Sequence, residues 1–137
     1  MRDIVAIEND QWQVGLVPAS GGSVAYARVR IDGQWVDVLR PTPTDKLDDA
    51  WATASFPLVP WSNRIRDGVF SWAGKRHQLR VNFADGTAIH GTGLEYPWTV
   101  VEQSDTAVTL EFSSRNVVGV NWPWAFTARF GYELDGE

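Results

Sequence analysis

The amino-acid sequence predicts an all-β fold, an antiparallel β-sandwich. Three observations carry this expectation. Apolar residues recur at every second position along most of the chain, glycine-containing turn pairs cut it into short segments, and no stretch sustains the 3.6-residue stripe of a packed helix.

The elements follow in order. Val5, Ile7, Trp12, Val14 and Leu16 alternate on either side of Asn9-Asp10, which predicts a hairpin with one buried face. After Gly21-Gly22, alternation from Val24 to Ile31 is turned by Asp32-Gly33 into Trp35 to Leu39, a second hairpin. Thr44 to Trp51 is the best helical candidate, one or two turns within a loop, with Thr44 or Asp45 as N-cap. Asp67-Gly68, Ala73-Gly74 and Asp85-Gly86 bound short strands at Val69 to Trp72 and Lys75 to Val81. Trp98 to Gln103, Ala107 to Ser113 and Trp124 to Leu134 alternate cleanly. The last runs into Asp135-Gly136-Glu137, a turn signal with no returning strand. The sandwich is therefore expected to be incomplete at its C-terminal end, with an uncovered sheet edge that predicts self-association.

Composition narrows the function. With 137 residues, 44% of them hydrophobic, the chain suits a single domain over residues 1–137 with one core. Twelve basic against seventeen acidic residues give a net charge of −5, and no Lys/Arg stripe suits a nucleic-acid backbone. The absence of cysteine removes disulfides and thiolate metal sites, and argues against a zinc site. No signal-peptide stretch opens the chain, and no run of ~18 apolar residues suits a membrane span. The expectation is a soluble cytoplasmic protein with neither nucleic-acid nor membrane partners.

Several residues stand out as chemistry-bearing. Asn63-Arg64 lies between Pro60-Trp61 and Asp67-Gly68, where a rigid turn would present a planar fork of donors to vicinal hydroxyls or a carboxylate. Arg64 could equally tie down the turn through Asp67 or backbone carbonyls. His90 precedes Gly91 at the end of an apolar pair, as a loop would offer an imidazole to a cleft; the alternative is a histidine satisfied by backbone. His77 reads as a solvated strand face. Among eight tryptophans, Trp12, Trp35 and Trp72 suit packing between sheets, whereas Trp61, Trp98, Trp122 and Trp124 are candidate walls for an apolar sugar face. Asp85 and Glu95 are the carboxylates nearest His90 in sequence, and either could orient it or be a solvated loop charge.

The phrase Phe56-Pro-Leu-Val-Pro-Trp-Ser-Asn-Arg-Ile-Arg-Asp-Gly-Val-Phe70, with Asn82 and Ala88-Ile-His-Gly-Thr-Gly93, resembles the aldose 1-epimerase (galactose mutarotase-like) family, and bacterial hexose mutarotase-like members most of all. The resemblance implies a galactose mutarotase-like supersandwich and an isomerase that interconverts hexose anomers by acid–base ring opening. It implies no metal and no organic cofactor. Asn63, Arg64 and His90 map onto the sugar-binding side, with Trp61 beside them as a candidate pocket wall, and His90 maps onto a catalytic histidine that polarises the region of the ring oxygen. The family's second histidine and its glutamate base find no counterpart before Glu137, so the chain is expected to act as a fragment lacking both. Two alternatives stand beside this reading: a non-catalytic carbohydrate-binding sandwich, and a hexose-6-phosphate 1-epimerase drawing on Arg66, Arg76 and Arg80. Thr92-Gly93 after His90-Gly91 departs from the second glycine common in galactose mutarotases and leaves the preferred hexose open.

Overall fold

A computed structural model describes residues 3–136. Among them the strands are β1 (Val5–Glu8), β2 (Trp12–Val17), β3 (Ser23–Ile31), β4 (Gln34–Leu39), β5 (Arg64–Arg66), β6 (Val69–Trp72), β7 (Lys75–Gln78), β8 (Thr87–Ile89), β9 (Thr99–Gln103), β10 (Ala107–Ser113) and β11 (Thr127–Glu133). β1 to β4 form one antiparallel sheet in chain order; β11, β10 and β9 form another with β10 central; β5 pairs with β8, and β6 with β7.

The two larger sheets cover each other. Alternation makes this possible: along β10, Val108, Leu110 and Phe112 are buried while Thr109 and Glu111 stand on the other face. These three meet Ile7, Leu16 and Val24 of the first sheet in one apolar core. The sheets are also stitched at one end, where Glu8 N–H donates to the Asp105 carbonyl at 2.7 Å. The expected all-β sandwich is thus present, and its inner faces are mutually covered. Val17, Ala25 and Leu47 form a smaller cluster, which seats the 40–55 loop on the opposite face of the first sheet.

Both predicted hairpins form, with Ile7 opposite Val14 and Ile31 opposite Gln34. Several expectations need correction, among them the strand expected from Trp124, which begins at Thr127. The helical candidate from Thr44 to Trp51 becomes two separate 3-10 turns, Thr44–Lys46 and Ala50–Ala52. Neither Thr44 nor Asp45 caps: the first turn has no side-chain cap, and Asp49 accepts from Trp51 N–H at 3.0 Å in the second. Strand β7 ends at Gln78 rather than Val81, because Asn121 takes over the backbone of Arg80. The buried core tryptophan is Trp98, 4% exposed, with its indole N–H donating to the Gly93 carbonyl at 2.9 Å. Trp72, at the tip of the two-stranded β6–β7 hairpin, is 65% exposed because no second sheet covers it. Trp12 and Trp35 are half-buried and lie outside the core cluster.

Met1, Arg2 and Glu137 lie outside the described residues, so the Asp135-Gly136-Glu137 turn signal can be followed only to Gly136. There the chain returns to the start of the fold, the Asp135 carbonyl accepting from Asn9 Nδ2 at 2.9 Å. Among the described residues no helix is long and apolar enough to cross a membrane.

Leu110 sits at the centre of the core and is 0% exposed. Leu110→Ala is expected to lower stability by about 2–5 kcal/mol in urea unfolding followed by tryptophan fluorescence. A loss below about 1 kcal/mol would mean that the two sheets do not share this core.

Candidate functional site

The short β5–β8 pair builds the site. Arg64 lies opposite Ile89 and Arg66 opposite Thr87, so Asn63 and His90 face each other just beyond the paired ends. There the ladder ends in an unusual exchange. His90 N–H donates to the Asn63 carbonyl at 3.0 Å, and Asn63 N–H donates to Nδ1 of the His90 ring at 3.2 Å. Both residues adopt left-handed backbone, with φ of 57° at Asn63 and 61° at His90. Asn and His are among the non-glycine residues that tolerate this region best, and the reciprocal bonds hold the strained pair in place.

The exchange fixes the chemistry of the imidazole. A peptide N–H can only donate, so Nδ1 must present its lone pair, and the neutral ring carries its proton on Nε2. That Nε2–H has no protein acceptor among the described residues. Burial, and secondarily the Arg64 guanidinium, hold the His90 pKa below its ordinary 6.5, which keeps the ring neutral at pH 7.

Ile89, just before His90, is clamped by Asn82. The Asn82 side chain donates to the Ile89 carbonyl at 3.1 Å and accepts from Ile89 N–H at 2.7 Å, imitating a strand. Beyond His90, a side chain at Gly91, where φ is 77°, would overlap the Val59 carbonyl, and that same carbonyl accepts from Thr92 and Gly93 N–H.

Arg64 is held beside the histidine without being buried; its side chain is 48% exposed. Nε donates to Asp85 Oδ2 at 2.8 Å and Nη1 to Asn63 Oδ1 at 3.3 Å. Nη2 has no protein partner among the described residues. Asp85 in turn accepts from Thr87, at 2.6 Å from the hydroxyl and 3.1 Å from the peptide N–H. The Thr87 hydroxyl and then Arg64 lower the Asp85 pKa below 3.8 against a raising contribution from desolvation, so its carboxylate is ionised at neutral pH.

An aromatic wall completes the group. Trp51, from the second 3-10 turn, stands 5.8 Å from the His90 ring, 5.5 Å from Phe56 and 5.9 Å from Phe83, measured between centroids. The Arg64 guanidinium carbon lies 5.6 Å from the Phe83 centroid. Trp51 remains 44% exposed. The result is an open shelf where an uncharged imidazole donor, an arginine fork and an indole edge meet.

The sequence pattern of aldose 1-epimerase matches residues 3–137. The chain belongs to the aldose 1-epimerase family. Within it, the chain is 36% identical over 92 residues to the uncharacterized protein YphB of Escherichia coli, an alignment covering 64% of this chain and 31% of YphB. Its fold matches the GalM/aldose epimerase homologue of C. elegans with a TM-score of 0.82 at 20% identity, over 98% of this chain and 42% of that one. A galactose mutarotase-like protein of Clostridium acetobutylicum gives a TM-score of 0.74 at 23% identity, over 96% and 41%. The chain thus spans less than half the length of these relatives.

For this aldose 1-epimerase family member, three of the four residues singled out by sequence, Asn63, Arg64 and His90, come together. Trp61 does not join them: its ring stacks on Trp122 at 5.3 Å, in a second aromatic cluster with Phe70, His77 and Trp124. Trp122 and Trp124 belong to that cluster, and Trp98 to the core. His77 is half-buried against Phe70 rather than on a solvated face, because the 121–124 segment folds over β7. Arg64 ties to Asp85 rather than Asp67, and Glu95 pairs with Arg80 at 2.7 Å, so neither carboxylate orients His90. Sequence reasoning missed Trp51 and Phe83, whose only signal was a bulky aromatic residue in an otherwise polar loop.

Two outcomes test the geometry. Following the His90 ring by NMR, its titration should fall below pH 6.5 and shift upward in Arg64→Ala, without regaining the full ordinary value because burial remains. The associated stability is intact above pH 6.5 and is lost as pH falls, since the unfolded chain takes up the proton first. Gly91→Ala should destabilise the chain strongly, by about 2 kcal/mol or more, because left-handed backbone and a clash with a carbonyl combine. Unfolding within ~0.5 kcal/mol of the unsubstituted chain would refute that reading.

Proposed function

We propose that this shelf binds a hexose and forms the substrate-holding side of a mutarotase reaction, the interconversion of α and β anomers. The carrying observation is the Asn63–His90 exchange, which leaves a neutral imidazole with Nε2–H as an unpartnered donor beside the Arg64 fork. Anomer interconversion needs the C1 hydroxyl to lose its proton while the ring oxygen gains one, after which the ring opens, rotates about C1–C2 and closes. A donor held at the ring oxygen polarises it at no cost in reorganisation. Arg64 Nη2, free of protein partners among the described residues, suits a pair of vicinal hydroxyls.

At the shelf itself the charges suit a neutral sugar, although Arg66 and Arg76, which enter no ion pair among the described residues, remain available to a phosphate. The Arg64 charge is already matched by Asp85, and that of Arg80 by Glu95. A dianionic phosphate would need cations that are not already engaged. Trp51 supplies an exposed indole on which the apolar face of a pyranose can rest.

Polarimetry of freshly dissolved α-D-glucose and α-D-galactose, together with saturation-transfer NMR of hexose binding, tests the reading. Binding is expected to be abolished by Arg64→Ala and His90→Ala, and weakened roughly three- to tenfold by Trp51→Ala, as loss of one aromatic contact implies. Acceleration of mutarotation that disappears in Arg64→Ala would place catalysis in this chain itself. Binding without acceleration would limit it to holding the sugar, and equal binding by all variants would sink the site.

A further inference from the structure

Resting on the hexose reading, we propose that Asp85 is a positioning residue which, itself anchored by Thr87, sets the orientation in which Arg64 presents its fork to the ligand. An arginine at half exposure ordinarily samples several rotamers, and a sugar must then select one of them. Here the fork has an inner and an outer side. The inner side is pinned at Nε by Asp85 Oδ2, and at Nη1 by Asn63 Oδ1. The outer side, Nη2, is left for a ligand.

The pin is itself rigid. Asp85 uses its two oxygens for different tasks, Oδ1 accepting both the hydroxyl and the peptide N–H of Thr87 while Oδ2 faces Arg64. Thr87 begins β8, which carries Ile89 and ends beside His90, and β8 pairs back onto β5, where Arg64 resides. One closed circuit, Arg64 to Asp85 to Thr87 through β8 to Ile89 and back to Arg64, therefore fixes the fork relative to the imidazole. Phe83, two residues before Asp85, lies beneath the guanidinium and closes it from below. Asp85 needs no contact with the sugar for this role.

The arrangement separates positioning from stability, because exposed ion pairs of this kind add little to folding. Asp85→Asn retains Oδ1 for Thr87 but replaces the acceptor facing Nε. In ¹⁵N spectra of the full chain, exchange of the Arg64 Nε–H with water should accelerate roughly two- to fivefold in this variant, the population change an exposed pair supports. Backbone amides of Ile89 and Leu110 should keep their protection. Thr87→Val should move Nε–H exchange in the same direction by less, and Thr87→Ser, which keeps the hydroxyl, should restore it. Titration with galactose should then show a comparable two- to fivefold loss of affinity in Asp85→Asn.

Unchanged Nε–H exchange in Asp85→Asn would overturn the positioning role. So would faster exchange without any loss of sugar affinity, which would make the pair a surface contact only. If the unsubstituted chain gives no shift with either galactose or glucose while Asp85→Asn still frees the Nε–H, the tether stands and the hexose reading fails.

Discussion

The structure turns on the close approach of Val59 to the turn formed by Gly91, Thr92 and Gly93. The Val59 carbonyl accepts from Thr92 N–H at 2.8 Å and from Gly93 N–H at 3.1 Å, at a distance from Gly91 that no side chain could share. Other segments converge on the same three residues. The indole of Trp98 donates to the Gly93 carbonyl, and Asn121 N–H reaches the Thr92 hydroxyl at 3.4 Å. Trp98 is part of the sandwich core, while His90 is part of the open shelf. This junction transmits the rigidity of two packed sheets to a loop that would otherwise move, and so a strained histidine can persist at the surface.

Two asparagines extend that rigidity without any helix. Asn121 bonds both the N–H and the carbonyl of Arg80, and Asn82 does the same to Ile89. Each amide stands in for one residue of a neighbouring strand, so the irregular path between β7 and β8 keeps its backbone groups paired. An aspartate at either place would lose the donor and set an oxygen against a carbonyl, whereas a side chain without an amide would leave two backbone groups unpaired.

How much of this could be read from the sequence depended on the range of the interaction. Alternation along Ala107–Ser113 predicted β10 to the residue, because its period and its burial follow from a single sheet face. The meeting of Asn63, Arg64 and His90 was legible through the motif phrase, which encodes positions rather than contacts. Trp61 misled, since being adjacent to Asn63 in sequence says nothing of which side its ring takes when a second aromatic cluster competes for it. Trp51 was hidden for the opposite reason: it reaches His90 only because Leu47 seats its loop on the first sheet, a contact between residues remote from the motif. Asp85 was one carboxylate among several until the β5–β8 register brought Arg64 to it.

The tautomer of His90 constrains any reaction at this shelf. With Nδ1 occupied by the Asn63 N–H, the imidazole has one free position, and it is a donor. A neutral Nε2–H cannot take a proton from the C1 hydroxyl, and burial, helped by the Arg64 charge, disfavours the imidazolium that would make it a strong acid. Arg64 cannot serve as a base either, because a guanidinium stays protonated. In the proposed reaction the pair would orient a sugar and polarise its ring oxygen, while the proton leaving the anomeric hydroxyl would go to a group outside this pair. Asp85 is unsuited to that task as well, for its oxygens are committed to Thr87 and Arg64 and its pKa is lowered, which weakens it as a base. On the proposed mutarotase reading, these residues divide the labour: holding and polarising the sugar are separated from moving its proton.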